Sequence, residues 1–208
     1  MAHRPHHYLA AFLIALRGAP LQRIPTRLDG PVLIEPKVFG DERGFFAETF
    51  RANVMADEFA ITEPFVQDNH SRSTKGVVRG MHFQIGTGVS KLVRCGRGAI
   101  LDVVVDLRVG SPAYGQWEGV ELSEANLRVY YVPVGFAHGF CVLSDVADVF
   151  YKQSGYYSSE TERGISYRDP ALAIDWPLPD AELLPSARDA AAPRLSEVED
   201  ELPFVYAG

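Results

Sequence analysis

The chain has 208 residues, 47% hydrophobic and 23% charged, an ordinary composition for a globular protein with a sizeable core. A formal net charge of -7 argues against a nucleic-acid surface, so local basic spots are left to serve a compact anionic ligand. No apolar run reaches the ~18 residues that span a bilayer. The nearest, Tyr8 to Leu16, reads as a short helix or start-site extension rather than a signal peptide, because the small-residue cleavage pattern after it is poor.

Residues 1–29 carry His3, His6 and His7 and no acidic residue before Asp29, and they read as an N-terminal extension. From Pro31 the character changes. Val32-Leu33-Ile34 and Lys37-Val38-Phe39 are strand-like, Gly40 to Gly44 is a turn leading to Phe45-Phe46, and Arg51 to Phe59 suits a short helix. Gln67-Asp68-Asn69-His70-Ser71 is a polar cluster out of place in a core. In Ile100 to Leu107, Leu101, Val103, Val105 and Leu107 fall on one face, while Ile100, Asp102, Val104 and Asp106 fall on the other. One apolar face and one mixed face suit a barrel, with one side packed and the other free to line a cavity. Further strands are expected near Trp117 to Leu122, Val129 to Pro133, Gly139 to Leu143 and Val149 to Gln153. Cys95 and Cys141 sit in apolar β-like runs and read as buried thiols of a cytoplasmic protein, with neither zinc spacing nor a disulfide framework. After Tyr157, prolines at 170, 177, 179, 185 and 193 break up any long element, and Glu197 to Glu201 is acidic. The pattern predicts one all-β domain over 30–208 with a loosely structured C-terminal tail.

The stretch most suited to chemistry is Arg79-Gly80-Met81-His82-Phe83-Gln84, followed by Lys91 and Arg94. Histidine carries protons near neutral pH, and the neighbouring cations suit an anionic substrate. The plainer alternative is a half-buried strand whose histidine is hydrogen-bonded in a core. Pro133-Val134-Gly135-Phe136-Ala137-His138 resembles the second histidine box of cupins. The first box here reads His82-Phe83-Gln84, with an amide where metal-binding cupins have a second histidine. Only His82 and His138 then remain, too few for a divalent site, so no metal is expected. A cupin-type jelly-roll barrel with short peripheral helices follows.

Several motifs, in order, resemble the dTDP-4-dehydrorhamnose 3,5-epimerase family: Phe39 to Phe46, Gln67 to Ser71, Arg79 to Gln84, Lys91 to Arg94, Asp102 to Leu107, Gly135 to Phe140, Tyr151-Lys152 and Ser186 to Asp189. The resemblance implies a cofactor-free enzyme that removes and returns protons beside a sugar ketone. Such chemistry demands a base, an acid and an anion stabiliser. By match to the family, His82 is the base, oriented by Asp189, Tyr151 is the acid, and Lys91 stabilises charge on the C4 oxygen. Arg43, Arg79 and His138 are assigned to the diphosphate; Glu48, Gln67, Asn69 and Glu162 to the polar lining; Tyr157 to stacking on thymine. Arg188 stands where the family frequently has lysine. The resemblance also implies a homodimer and a dTDP-sugar substrate. Two other readings stay open: a single-site 3- or 5-epimerase, and a non-catalytic or metal-binding cupin.

Overall fold

The structure, a computed structural model, describes residues 20–207; Tyr8 to Leu16 and the histidines at 3, 6 and 7 lie outside the described residues. Two sheets face each other, antiparallel except for one short parallel strand at the end of the second. The first runs in the order β1 (Leu21–Ile24), β2 (Val32–Pro36), β10 (Val129–Val132), β7 (Lys91–Arg97), β12 (Val146–Gln153), β5 (Gln67–Thr74). The second runs β13 (Glu162–Gly164), β6 (Val77–Gln84), β11 (Phe136–Val142), β8 (Ala99–Asp106), β9 (Trp117–Ser123), with β14 (Leu184–Pro185) added alongside β6. A separate hairpin pairs β3 (Val38–Asp41) with β4 (Gly44–Ala47).

Alternation along the strands assigns the layers. On β8, Ile100 and Val104 point between the sheets, where they meet Val93 and Cys95 of β7, Tyr130 of β10 and Phe140 and Val142 of β11. Leu101, Val103 and Val105 point the other way, as their spacing predicts. Ile100, Val103, Val104 and Val105 are fully buried, each contributing roughly 1.5–3 kcal/mol of transfer free energy, while Leu101 is only partly buried. The mixed face of β8 is the inner one. Its two acids part company there: Asp106 pairs with Arg108 and accepts from the Ser111 hydroxyl, whereas Asp102 meets a histidine. The outer face of the first sheet is covered by α1 (Ala52–Phe59), whose Met55 and Phe59 pack on Leu21, Val32, Ile34 and Leu92. The outer face of the second sheet is covered by the C-terminal segment.

Two sequence expectations need correction. Residues 1–29 are not wholly an appendage, because β1 pairs in register with β2 from Leu21↔Pro36 to Ile24↔Leu33. The C-terminal segment is broken into short pieces, as its prolines require, but it is not loose. Ile165, Tyr167, Leu172, Leu183, Leu195, Val198 and Phe204 are buried against the apolar face of β8 and its neighbours. Aromatic and aliphatic anchors, rather than long elements, hold it. A third difference is β5, which the polar run 67–71 concealed. Paired along its whole length with β12, its residues alternate between half-buried and exposed, and the inward row Gln67, Asn69, Ser71, Ser73 is polar because it borders a cleft. Both cysteines are buried, and burial pushes each thiol up to about 11.

Candidate active site

A cleft of about 500 Å³ opens at one end of the barrel, between the two sheets. Its lining includes Arg79 and His82 from β6, Lys91 from β7, His138 from β11, Tyr151 from β12 and Asp189 from the C-terminal segment. His82 and Arg79 are three residues apart, so a regular strand would turn them to opposite faces. The ladder between β6 and β11 resolves this. His138 pairs with His82 but Phe140 pairs with Arg79, so an extra residue is accommodated on β6. Such a bulge shifts the phase of alternation. Val78, Met81 and Phe83 then face the outer core while Arg79 and His82 both reach the cleft. Gly80 makes the bulge possible: its φ is +128°, and a Cβ there would lie 2.5 Å from the Cα of Gly139.

His82 Nε2 lies 2.6 Å from Asp189 Oδ1, with the imidazole about one quarter exposed and the carboxylate almost buried. Asp189 is held by α2 (Ala187–Ala190), whose N-cap Ser186 accepts from the Asp189 backbone N–H at 3.1 Å. Burial opposes ionisation of Asp189. The hydrogen bond and charge of His82, with help from Ser186 and the Gly80 N–H, outweigh it and hold the carboxyl below its usual range. The pair therefore has a fixed carboxylate behind a reachable imidazole, and can accept a proton from the cleft.

Deeper in the cleft is a second histidine–carboxylate pair. His138 Nε2 sits 3.0 Å from both oxygens of Asp102, and its Nδ1 is 3.5 Å from Lys91 Nζ. Burial, reinforced by the Lys91 cation against the opposing Asp102 charge, pushes the His138 pKa down and keeps the ring neutral. Burial pushes Lys91 down to about 8, with Asp102 and Glu162 holding it from falling further. Tyr151, on the opposing sheet from His82, is half-buried; desolvation raises its phenol pKa and the nearby Arg79 charge offsets part of that.

The remaining predicted residues divide in two. Glu162 and Arg188 line the cleft and form an ion pair across its rim. Tyr157 is exposed; its hydroxyl donates to Glu162 at 3.0 Å and its backbone N–H to Gln67 at 2.9 Å. Gln67 donates to Asn69, and Asn69 to Gln153, so these amides form one chain beside the rim. Arg79 donates to Ser73 at 3.0 Å. Arg43 and Glu48, by contrast, are not brought to the cleft of their own chain. Arg43 is 81% exposed on the β3–β4 turn, paired with Asp41, and Glu48 is held by Arg51. Gln84, standing where a metal-binding cupin has histidine, accepts instead from Thr161 at 3.0 Å and from the Ser158 N–H at 3.3 Å. Among the described residues no group of three or more His, Cys, Asp or Glu side chains is placed to hold a metal ion. No helix among them is long and apolar enough to cross a membrane. Asp102 is a site residue that no motif role marks in the sequence. Its signal was a lone carboxylate on the inner face of an apolar strand, shared equally with Asp106.

Comparison with known proteins identifies the family. The family model described as dTDP-4-dehydrorhamnose 3,5-epimerase matches residues 25–197. The enzyme of that name from Pseudomonas aeruginosa is 52% identical over 161 residues, which cover 76% of this chain and 89% of the relative. A crystal structure of dTDP-6-deoxy-D-glucose-3,5-epimerase from Legionella pneumophila, in complex with dTDP-4-keto-L-rhamnose, superposes with a TM-score of 0.87 at 49% identity, covering 90% of this chain and 100% of that one. A dTDP-4-dehydrorhamnose 3-epimerase from Streptomyces niveus is 44% identical over 176 residues, covering 80% of this chain and 85% of the relative. With a model match over most of its length and relatives near half identity, the chain belongs to the dTDP-4-dehydrorhamnose 3,5-epimerase family of isomerases, on a jelly-roll barrel.

Proposed function

We propose that the chain epimerises dTDP-4-dehydro-6-deoxy-D-glucose at C3 and C5, giving dTDP-4-dehydro-L-rhamnose. The observation that carries this reading is the placement of His82 and Tyr151 on opposing sheets of one cleft. The ketone at C4 acidifies the hydrogens on C3 and C5. His82 takes one of them, Asp189 stabilises the imidazolium that results, and Lys91 offers its ammonium to the enolate oxygen. Tyr151 returns a proton to the opposite face of the carbon, which inverts it. Inversion beside a ketone requires no net oxidation or reduction, and His82, Tyr151 and Lys91 supply the base, the acid and the counter-charge. Arg79 and Arg188 suit the diphosphate, and the exposed ring of Tyr157 at the rim suits the thymine.

The same base and acid would serve a single-site epimerase, and the Streptomyces niveus relative bears a 3-epimerase name. Turnover of the sugar nucleotide in deuterated water separates the readings. Two deuterons in an L-configured product support double epimerisation, one deuteron makes the enzyme single-site, and none refutes both.

The working unit is a homodimer. The β3–β4 hairpin stands outside both main sheets with Phe45 64% exposed at its tip, and Arg43 and Glu48 flank it away from their own cleft. A second copy that receives this hairpin would add Arg43 to the charge facing the diphosphate. The two buried, unpaired thiols suit the reducing cytoplasm.

A further inference from the structure

We infer that Asp102 is a positioning residue: through His138 it fixes the ammonium of Lys91 on the C4 side of the cleft, which makes His138 a relay to Lys91 rather than a ligand of the diphosphate. The inference rests on the epimerase reading and adds two roles to it. Both ring nitrogens of His138 are engaged. Nε2 faces the two Asp102 oxygens at 3.0 Å, and an acceptor pair of that kind calls for the proton on Nε2. Nδ1 then keeps its lone pair, and the group 3.5 Å from it is the Lys91 ammonium, which can only donate. A neutral His138 of this tautomer has no N–H left for a phosphate oxygen. It is also 93% buried by neighbours, whereas Arg79 and Arg188 are exposed along the same cleft.

The arrangement addresses a difficulty inherent in using a buried lysine. An ammonium removed from water tends to lose its proton, and a neutral amine cannot hold an enolate. Asp102 supplies the compensating charge one residue removed, so the carboxylate supports the ammonium without lying in the substrate's path. The other titratable or charged groups sharing the cleft with Lys91 are Arg79 and His82 on β6, Glu162 on β13, Tyr151 on β12, and Arg188 and Asp189 on α2. Of these, Glu162 also favours the charged lysine, but it is already engaged by Arg188 and Tyr157 at the rim.

The test compares Asp102→Asn and His138→Gln with the wild type, using kcat, KM, the pH profile of kcat/KM and the dissociation constant of dTDP. Wild type is expected to lose activity above about pH 8, where Lys91 deprotonates. Asn at 102 removes the compensating charge, so the alkaline limb moves down by roughly 1 pH unit or more. Gln at 138 still reaches Asp102 but leaves no acceptor where Nδ1 stood, so kcat falls ~10- to 100-fold, part of what removal of an oxyanion donor costs. In both variants dTDP affinity changes less than about twofold, since a relay removed from the diphosphate contributes little to its binding. An unmoved alkaline limb in folded Asp102→Asn overturns the inference. If that variant does not fold, His138→Gln decides: a loss of dTDP affinity in step with kcat/KM overturns it, and a loss confined to kcat supports it. Deuterium exchange by the wild type is scored alongside. An inactive wild type sinks the epimerase reading and this inference together, whereas an active wild type with an unmoved limb sinks only the inference.

Discussion

The cleft holds two histidine–carboxylate pairs of the same composition in different settings. His82 and Asp189 meet through one 2.6 Å contact, with the ring about one quarter exposed and the carboxylate delivered by a separate segment of chain. His138 and Asp102 sit on adjacent strands of one sheet, nearly buried, with both carboxylate oxygens on one nitrogen and a lysine on the other. The first ring has a free side toward the cleft and can exchange a proton with a ligand. The second has every polar atom engaged and can only hold a neighbour in place. Identical residue types thus acquire different roles from exposure and from what occupies the second nitrogen.

That contrast can be broken by mutation. The largest effect is expected for His82→Ala, which removes the proposed proton acceptor and should lower kcat by ~10³- to 10⁴-fold with dTDP affinity preserved, measured by turnover and by calorimetric titration. Asp189→Asn comes next, because the amide can no longer stabilise the imidazolium; a loss of ~10²-fold or more in kcat is expected. Gly80→Ala sharpens the role of the bulge. A methyl group 2.5 Å from Gly139 Cα forces β6 and β11 apart, so thermal melting should show a loss of about 1–3 kcal/mol, accompanied by lower activity as Arg79 and His82 lose their shared face. The smallest effect is expected for Arg43→Ala, a several-fold rise in KM with little change in kcat. Sedimentation should show a dimer for that variant, and an unchanged KM would remove the hairpin from the substrate site.

Much of the fold was legible from the sequence. Alternation in Ile100 to Leu107 specified both the strand and its two faces, and the turn at Gly40 to Gly44 specified the β3–β4 hairpin. The strand β5 was not legible, because lining a polar cleft leaves no apolar alternation to read. Nor was the packed C-terminal segment, whose anchors Ile165, Tyr167, Leu172 and Leu183 recur without any helical or strand period. Motif resemblance singles out His82, Lys91, Tyr151 and Asp189, and all four line one cleft. What the sequence could not supply was the phase shift at Gly80 that turns Arg79 and His82 to the same side. The choice between Asp102 and Asp106 was equally hidden, since it depends on which of two inward carboxylates meets Arg108 and which meets His138.

The proposed epimerisation depends on proton removal from one sheet and proton return from the other. Solvent deuterium exchange into the sugar, followed by NMR for wild type, His82→Ala and Tyr151→Phe, tests this most directly. Tyr151→Phe is expected to exchange α-hydrogens while forming the epimer at least ~10²-fold more slowly, and His82→Ala to do neither. Exchange at the wild-type rate in His82→Ala, or loss of exchange in Tyr151→Phe as complete as in His82→Ala, would contradict it.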